Sequence, residues 1–168
     1  HSDDALLINP KAESKIRQGV TTEVIGNCGS SGAPIDETIK EELKRTEAPI
    51  VKAGVKLDYS TFSEYAAKLQ RSGVAVNVAA LIGHGNLRAM TMGYEARAPT
   101  SGELVRMKTI LADSLRQGAF GLSTGLIYPP GSYARTDEIV ELAKVATTYG
   151  GIYASHIRGE GETMLRAV

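Results

Sequence analysis

The chain has 168 residues, enough for one domain of ordinary size but short of the roughly 250 that a complete α/β barrel takes. With 42% of residues apolar it can bury a sizeable core, which excludes compositional disorder. Nineteen basic residues balance 19 acidic ones, so charge gives no reason to expect nucleic acid or an anionic membrane surface as a partner.

In chain order, one unit recurs four times: a helix, a glycine, then an apolar strand. The first copy is predicted as a helix from Asn9-Pro10 to Gln18, with Asn9 as N-cap, Pro10 in the first turn and Gly19 after the end, followed by a strand over Val20 to Ile25. An extra helix is expected over Asp36 to Lys52. The second copy places Phe62, Tyr65, Ala66 and Leu69 on one helical stripe, ends at Gly73 and continues as a strand from Val74 to Ile82. The third opens with the capping-box pattern Thr100-x-x-Glu103 and buries Leu104, Met107, Leu111 and Leu115. Gly118 then leads into a strand over Ala119 to Leu122. In the fourth, Thr136 is the expected cap, Ile139, Leu142, Ala143 and Ala146 form the stripe, and Ile152 to Ser155 is the strand. A last helix is expected to begin near Glu162.

Strands alternating with helices predict βαβ units and a parallel sheet. Near-continuous apolar runs suit strands covered on both faces. Doubly wound sheets and barrels both satisfy this pattern. No linker or charge block divides the chain, so residues 1–168 read as one domain.

Chemistry in parallel α/β folds gathers at the C-terminal ends of the strands. Cys28 follows the first predicted strand, His84 the second, Tyr128 lies in the loop after the third, and His156 with Arg158 follows the fourth. A thiolate and neutral imidazoles converging on one rim would suit zinc, which polarises a carbonyl and lowers the pKa of a bound water to roughly 7. Other readings stay open. Cys28 also fits a small buried hydrophobe or a nucleophile paired with histidine, His156 a hydrogen-bonded core histidine, His84 a turn stabiliser and His1 a tag remnant. Arg158 would pair a substrate carboxylate or an ordinary glutamate. As the only cysteine, Cys28 excludes an intrachain disulfide and fits a reducing cytoplasm. No apolar run approaches the roughly 18 residues of a membrane span. The polar opening His1-Ser2-Asp3-Asp4 is not that of a signal peptide, and the missing initiator Met suggests a trimmed chain.

Three long segments carry a family resemblance. Residues 19–29 (Gly19 through Cys28-Gly29), 118–131 (Gly118 through Tyr128-Pro129-Pro130-Gly131) and 150–160 (Gly150 through His156-Ile157-Arg158-Gly159-Glu160) resemble segments of the N-acyl-D-amino-acid deacylases of the amidohydrolase superfamily. The resemblance implies about half of a (β/α)8 barrel with parallel strands, truncated at both ends, and a zinc site on its rim. It also implies zinc-dependent hydrolysis of N-acyl-D-amino acids by the parent enzyme. It makes Cys28 and His156 metal ligands and Tyr128 a substrate-binding residue. His1-Ser2-Asp3 with Leu6-Leu7-Ile8-Asn9-Pro10 matches the second histidine of a His-x-His pair and the family residues after it, adding His1 to the metal ligands.

The same resemblance puts a general-base aspartate, a further ligand histidine and a substrate-binding lysine beyond Val168. The piece is therefore expected to be inactive, to hold zinc weakly or not at all, and to self-associate through open sheet edges. Its implied partner is a small-molecule substrate. The rival readings are a cyclic amidohydrolase of the dihydroorotase or hydantoinase kind, which usually has lysine where Cys28 stands, and a structural fragment without catalysis.

Overall fold

The computed structural model describes residues 2–167. After helices α1 (Ser2–Ile8) and α2 (Glu13–Ile16) comes strand β1 (Thr22–Ile25). Helices α3 (Glu37–Arg45), α4 (Pro49–Lys52) and α5 (Phe62–Arg71) lead to β2 (Asn77–Gly83). Helices α6 (His84–Met92) and α7 (Ser101–Arg116) precede β3 (Gly121–Gly125). A short 3₁₀ turn (Gly131–Tyr133) and α8 (Thr136–Thr148) precede β4 (Ile152–His156), and α9 is Met164–Ala167.

The four strands pair in sequential order, β1-β2-β3-β4, and every pairing is parallel. A doubly wound sheet reverses its strand order at a switch point, whereas a (β/α)8 barrel adds each strand beside the last. The arrangement is therefore an arc of such a barrel. Register sets Ile25 against Ala80, Gly83 against Ser123 and Gly125 against His156, so β3 and β4 end level while β1 and β2 end in a stagger beside them.

The core lies where α5, α7 and α8 pack on the strands. Tyr65, Ile82, Met107, Leu111, Leu122 and Leu142 are all buried there. The three expected helical stripes thus face inward. Both Thr100 and Thr61 form complete capping boxes with the glutamate three residues on.

Local departures have local causes. Asn9-Pro10 closes α1 instead of opening a helix, because proline disfavours helical geometry in the residue before it. The helix before β1 is only Glu13–Ile16, started from Ala12 in left-handed conformation at φ 45°. The expected helix over Asp36 to Lys52 is broken by Pro49, which starts α4 and keeps Ala48 extended (ψ 148°). Thr136 lies inside α8, whose cap position is Arg135 with no side-chain capping bond. Strand β3 runs on through Ser123 and Thr124 to Gly125, residues expected in a loop and all buried.

The outer strands β1 and β4 each pair on one side only among the described residues. Val24, Phe120, Ile152 and Tyr153 are exposed beside or on these strands, Phe120 by 58% and Ile152 by 56%. Unpaired edges with apolar neighbours template further pairing. The 168-residue chain alone is expected to self-associate. A light-scattering mass that stays monomeric at high concentration contradicts this.

Candidate metal and substrate site

The loop after β1 is bent tightly around Cys28. Gly26 (φ 74°), Cys28 (φ 54°) and Gly29 (φ 75°) are all left-handed, a conformation that costs a non-glycine residue about 1 kcal/mol or more. Surrounding bonds hold it. The buried Asp3 carboxylate accepts the Gly26 N–H through Oδ2 and the Gly32 N–H through Oδ1, both at 3.1 Å, so one side chain spans the loop. Tyr65 donates its hydroxyl to the Asp3 carbonyl (3.1 Å), fixing α1 from α5. On the far side, Gly29 N–H donates to Ser123 Oγ (3.1 Å), and the Ser123 hydroxyl donates to the Gly26 carbonyl. Asn86 takes the Ser31 N–H (3.0 Å) and gives its amide hydrogens to the carbonyls of Ser31 and Pro34.

Close backbone approach finishes the mounting. A Cβ at Gly125 would lie 2.0 Å from the Cys28 carbonyl oxygen, and one at Gly83 2.6 Å from that of Gly29. Only glycine lets β2 and β3 end directly beneath the cysteine loop.

Burial holds the Asp3 carboxyl above its ordinary range despite the two amide donors, so ionising it opposes folding. That contribution favours the folded state below the ordinary aspartate pKa and is lost as pH rises through the raised value. Asp3→Ala is expected to strand two amide groups and destabilise the fold by about 2–3 kcal/mol in urea unfolding of the full-length protein. A change below about 0.5 kcal/mol would show that the loop does not depend on this clamp.

His156 ends β4, and Cys28 and His156 line one open cleft together with Asn27, Ser155 and Glu160. The His156 Nε2 atom is buried and has no hydrogen-bond partner, although it lies 2.7 Å from the exposed Glu160 carboxylate. The Tyr128 ring meets the His156 imidazole edge-on, with centroids 5.0 Å apart at 87°. Tyr128 is half exposed and faces a second cavity that Cys28 also borders. The structure thus brings Cys28, His156 and Tyr128 to one place on the rim.

A soft thiol and an imidazole are suitable zinc donors. They supply two ligands, and no cluster of three or more His, Cys, Asp or Glu side chains able to hold a metal occurs among the described residues. His1 lies outside the described residues.

The other strand-end residues have different work. His84 is the first residue of α6, fully buried, with Nε2 2.7 Å from Glu138 Oε1. Arg88, one turn on and equally buried, donates through Nη1 to both Glu138 oxygens (2.9 and 2.7 Å) and through Nη2 to the Glu95 and Arg97 carbonyls. Burial pushes the Glu138 carboxyl up, but His84 and Arg88 outweigh it and leave it below its ordinary range. Arg158 donates to the Ala134 carbonyl (2.8 Å), a loop contact. Sequence reasoning missed Asp3 as a clamp and the Glu138–Arg88 pair altogether. The signal for the pair was His84 and Arg88 at i and i+4, two cation-capable groups on one face of a short segment leading from a buried strand.

No protein-family model matches the chain. Over its whole length it is 38% identical to the D-aminoacylase of Alcaligenes xylosoxydans xylosoxydans and 39% identical to an N-acyl-D-glutamate deacylase of the same organism. It spans about a third of each, 34% and 33%. Solved structures agree: a D-aminoacylase superposes on 99% of the chain with a TM-score of 0.85 at 39% identity, the match covering 34% of that enzyme. The N-acyl-D-glutamate deacylase of Bordetella bronchiseptica, solved with zinc and a phosphonate mimic of the tetrahedral intermediate, superposes on 98% with a TM-score of 0.82 at 35% identity, again covering 34% of its chain. In sequence and in fold, then, this chain is similar throughout to a third of the D-aminoacylases and N-acyl-D-amino-acid deacylases.

Proposed function

We propose that residues 1–168 are part of the catalytic barrel of a zinc-dependent hydrolase that converts N-acyl-D-amino acids to D-amino acids and carboxylates. One observation carries the reading. Cys28 and His156, 128 positions apart in the chain, border the same cleft at the strand ends.

Cys28 and His156 would hold the zinc, with His1 as a third ligand from this chain. The metal, when bound, supplies Lewis acidity toward the amide carbonyl. The Cys28 loop is rigid before any ligand arrives, because Asp3 and Ser123 fix its amide groups. Tyr128, braced edge-on by the His156 ring, would point a phenol hydrogen at the substrate carbonyl oxygen as charge develops there. Proton transfer falls to an aspartate expected outside this chain, so the 168 residues alone should not turn over substrate.

The full-length protein should hydrolyse N-acetyl-D-amino acids and leave dihydroorotate and hydantoins untouched. Ring opening of either cyclic amide without release of D-amino acids would replace this reading with the cyclic amidohydrolase one.

A further inference from the structure

Gly83-His84-Gly85-Asn86 ends β2 and starts α6, and its histidine has no part in the chemistry proposed for Cys28, His156 and Tyr128. The segment sits between the loops that carry Cys28 and Tyr128. Toward the first, Gly85 N–H donates to the Gly29 carbonyl at 2.8 Å, and Asn86 holds Ser31 and Pro34. Toward the second, the His84 imidazole lies against Gly131. A Cβ on that glycine would stand 3.7 Å from His84 Nδ1, and one on Gly85 would stand 3.7 Å from Pro130 Cδ. Pro130 and Gly131 are buried, whereas Tyr128 projects from the same loop half exposed.

Backbone bonds make that loop one unit. Tyr128 N–H donates to the Gly125 carbonyl (3.2 Å), Ser132 N–H to the Tyr128 carbonyl (2.8 Å) and Ala134 N–H to the Gly131 carbonyl (3.1 Å). A displacement at Gly131 is therefore passed to Tyr128. His84 is fixed from the opposite side. It is fully buried, with Nε2 2.7 Å from the Glu138 carboxylate, which Arg88 grips through both oxygens. Glu138 stands in the first turn of α8, the helix into which the Tyr128 loop runs.

We infer that His84 is a positioning residue for the hydrolysis: pinned by Glu138, its imidazole sets the height of Gly131 and so places the Tyr128 phenol. The inference rests on the role proposed for Tyr128. A misplacement of about 1 Å in a group that acts on the substrate can cost 10²-fold in rate. Because the buried imidazole reaches the rate through that phenol, its effect vanishes once the hydroxyl is gone.

The test is a double-mutant cycle in the full-length zinc enzyme, on the N-acetyl-D-amino acid that it hydrolyses fastest. Tyr128→Phe should lower kcat by about 100-fold, as removal of an oxyanion donor does. His84→Asn should lower it by about tenfold, with KM and zinc stoichiometry little changed. The double variant should fall within about twofold of Tyr128→Phe alone. His84→Gln, whose amide can still donate to Glu138, should recover most of the loss. Gly131→Ala moves the loop from its other side, since its methyl would meet the Gly125 carbonyl oxygen at 2.6 Å. It should show a similar loss of kcat that disappears in the Tyr128→Phe background. Losses that multiply in full, or a folded His84→Asn enzyme with unchanged kcat, overturn the inference while the role of Tyr128 stands. If His84→Asn does not fold, Gly131→Ala in the two backgrounds decides by the same comparison. An unchanged kcat in Tyr128→Phe removes Tyr128 from the mechanism and this inference with it, and failure to hydrolyse any N-acyl-D-amino acid brings down the hydrolase reading itself.

Discussion

Replacing Cys28 by serine or His156 by alanine in the full-length protein is expected to lower zinc affinity at least ~100-fold, since losing even an orienting partner of a ligand costs 10–100-fold. Activity on N-acetyl-D-amino acids should fall with it. Competition against a chromophoric chelator reads the affinity, and circular dichroism confirms that the variants fold. The serine variant keeps the size of Cys28 and the left-handed backbone, so a loss reports the sulfur and not the loop. Zinc affinity unchanged within about threefold in both variants would return Cys28 to the role of a small half-buried packing residue.

The second large effect concerns stability. Glu138→Gln leaves Arg88 fully buried without its counter-charge, and breaking a buried pair on one side costs about 3–5 kcal/mol. Each kcal/mol lowers the midpoint of thermal unfolding by roughly 2–4 °C in a domain of this size. Adding Arg88→Met should restore part of the loss, because the buried charge goes with its partner. The pH dependence has a definite sign. Glu138 titrates below its ordinary value of 4.5 when folded, so its contribution is present above pH 4.5 and is lost as pH falls through the depressed value. Wild type should therefore lose more stability than Glu138→Gln between about pH 5 and about 3. Equal acid profiles would show that the carboxylate is not the anchor between α6 and α8.

The four strands were legible in the sequence because near-continuous apolar runs such as Val74 to Ile82 are bounded by glycines, and their ends came within about three residues. Helices with a full stripe, Phe62 to Leu69 and Leu104 to Leu115, were equally plain. What stayed hidden was short or long-range. Helix α1 is seven residues, too brief to show a period, and Asn9-Pro10 closes one helix as readily as it opens another. The convergence of Cys28, Tyr128 and His156 could be read from their places after strands and from the family segments around them. Asp3 reaching Gly26 and Gly32, and Glu138 reaching back 50 positions to Arg88, leave no periodic trace.

The most direct test is a zinc-soaked crystal of the full-length protein with the metal located by anomalous scattering. The metal is expected to be bonded to Cys28 Sγ and to a ring nitrogen of His156, in the cleft that Asn27 and Ser155 border. Zinc found elsewhere on the barrel, with that sulfur and that imidazole both free of it, would contradict the proposed site.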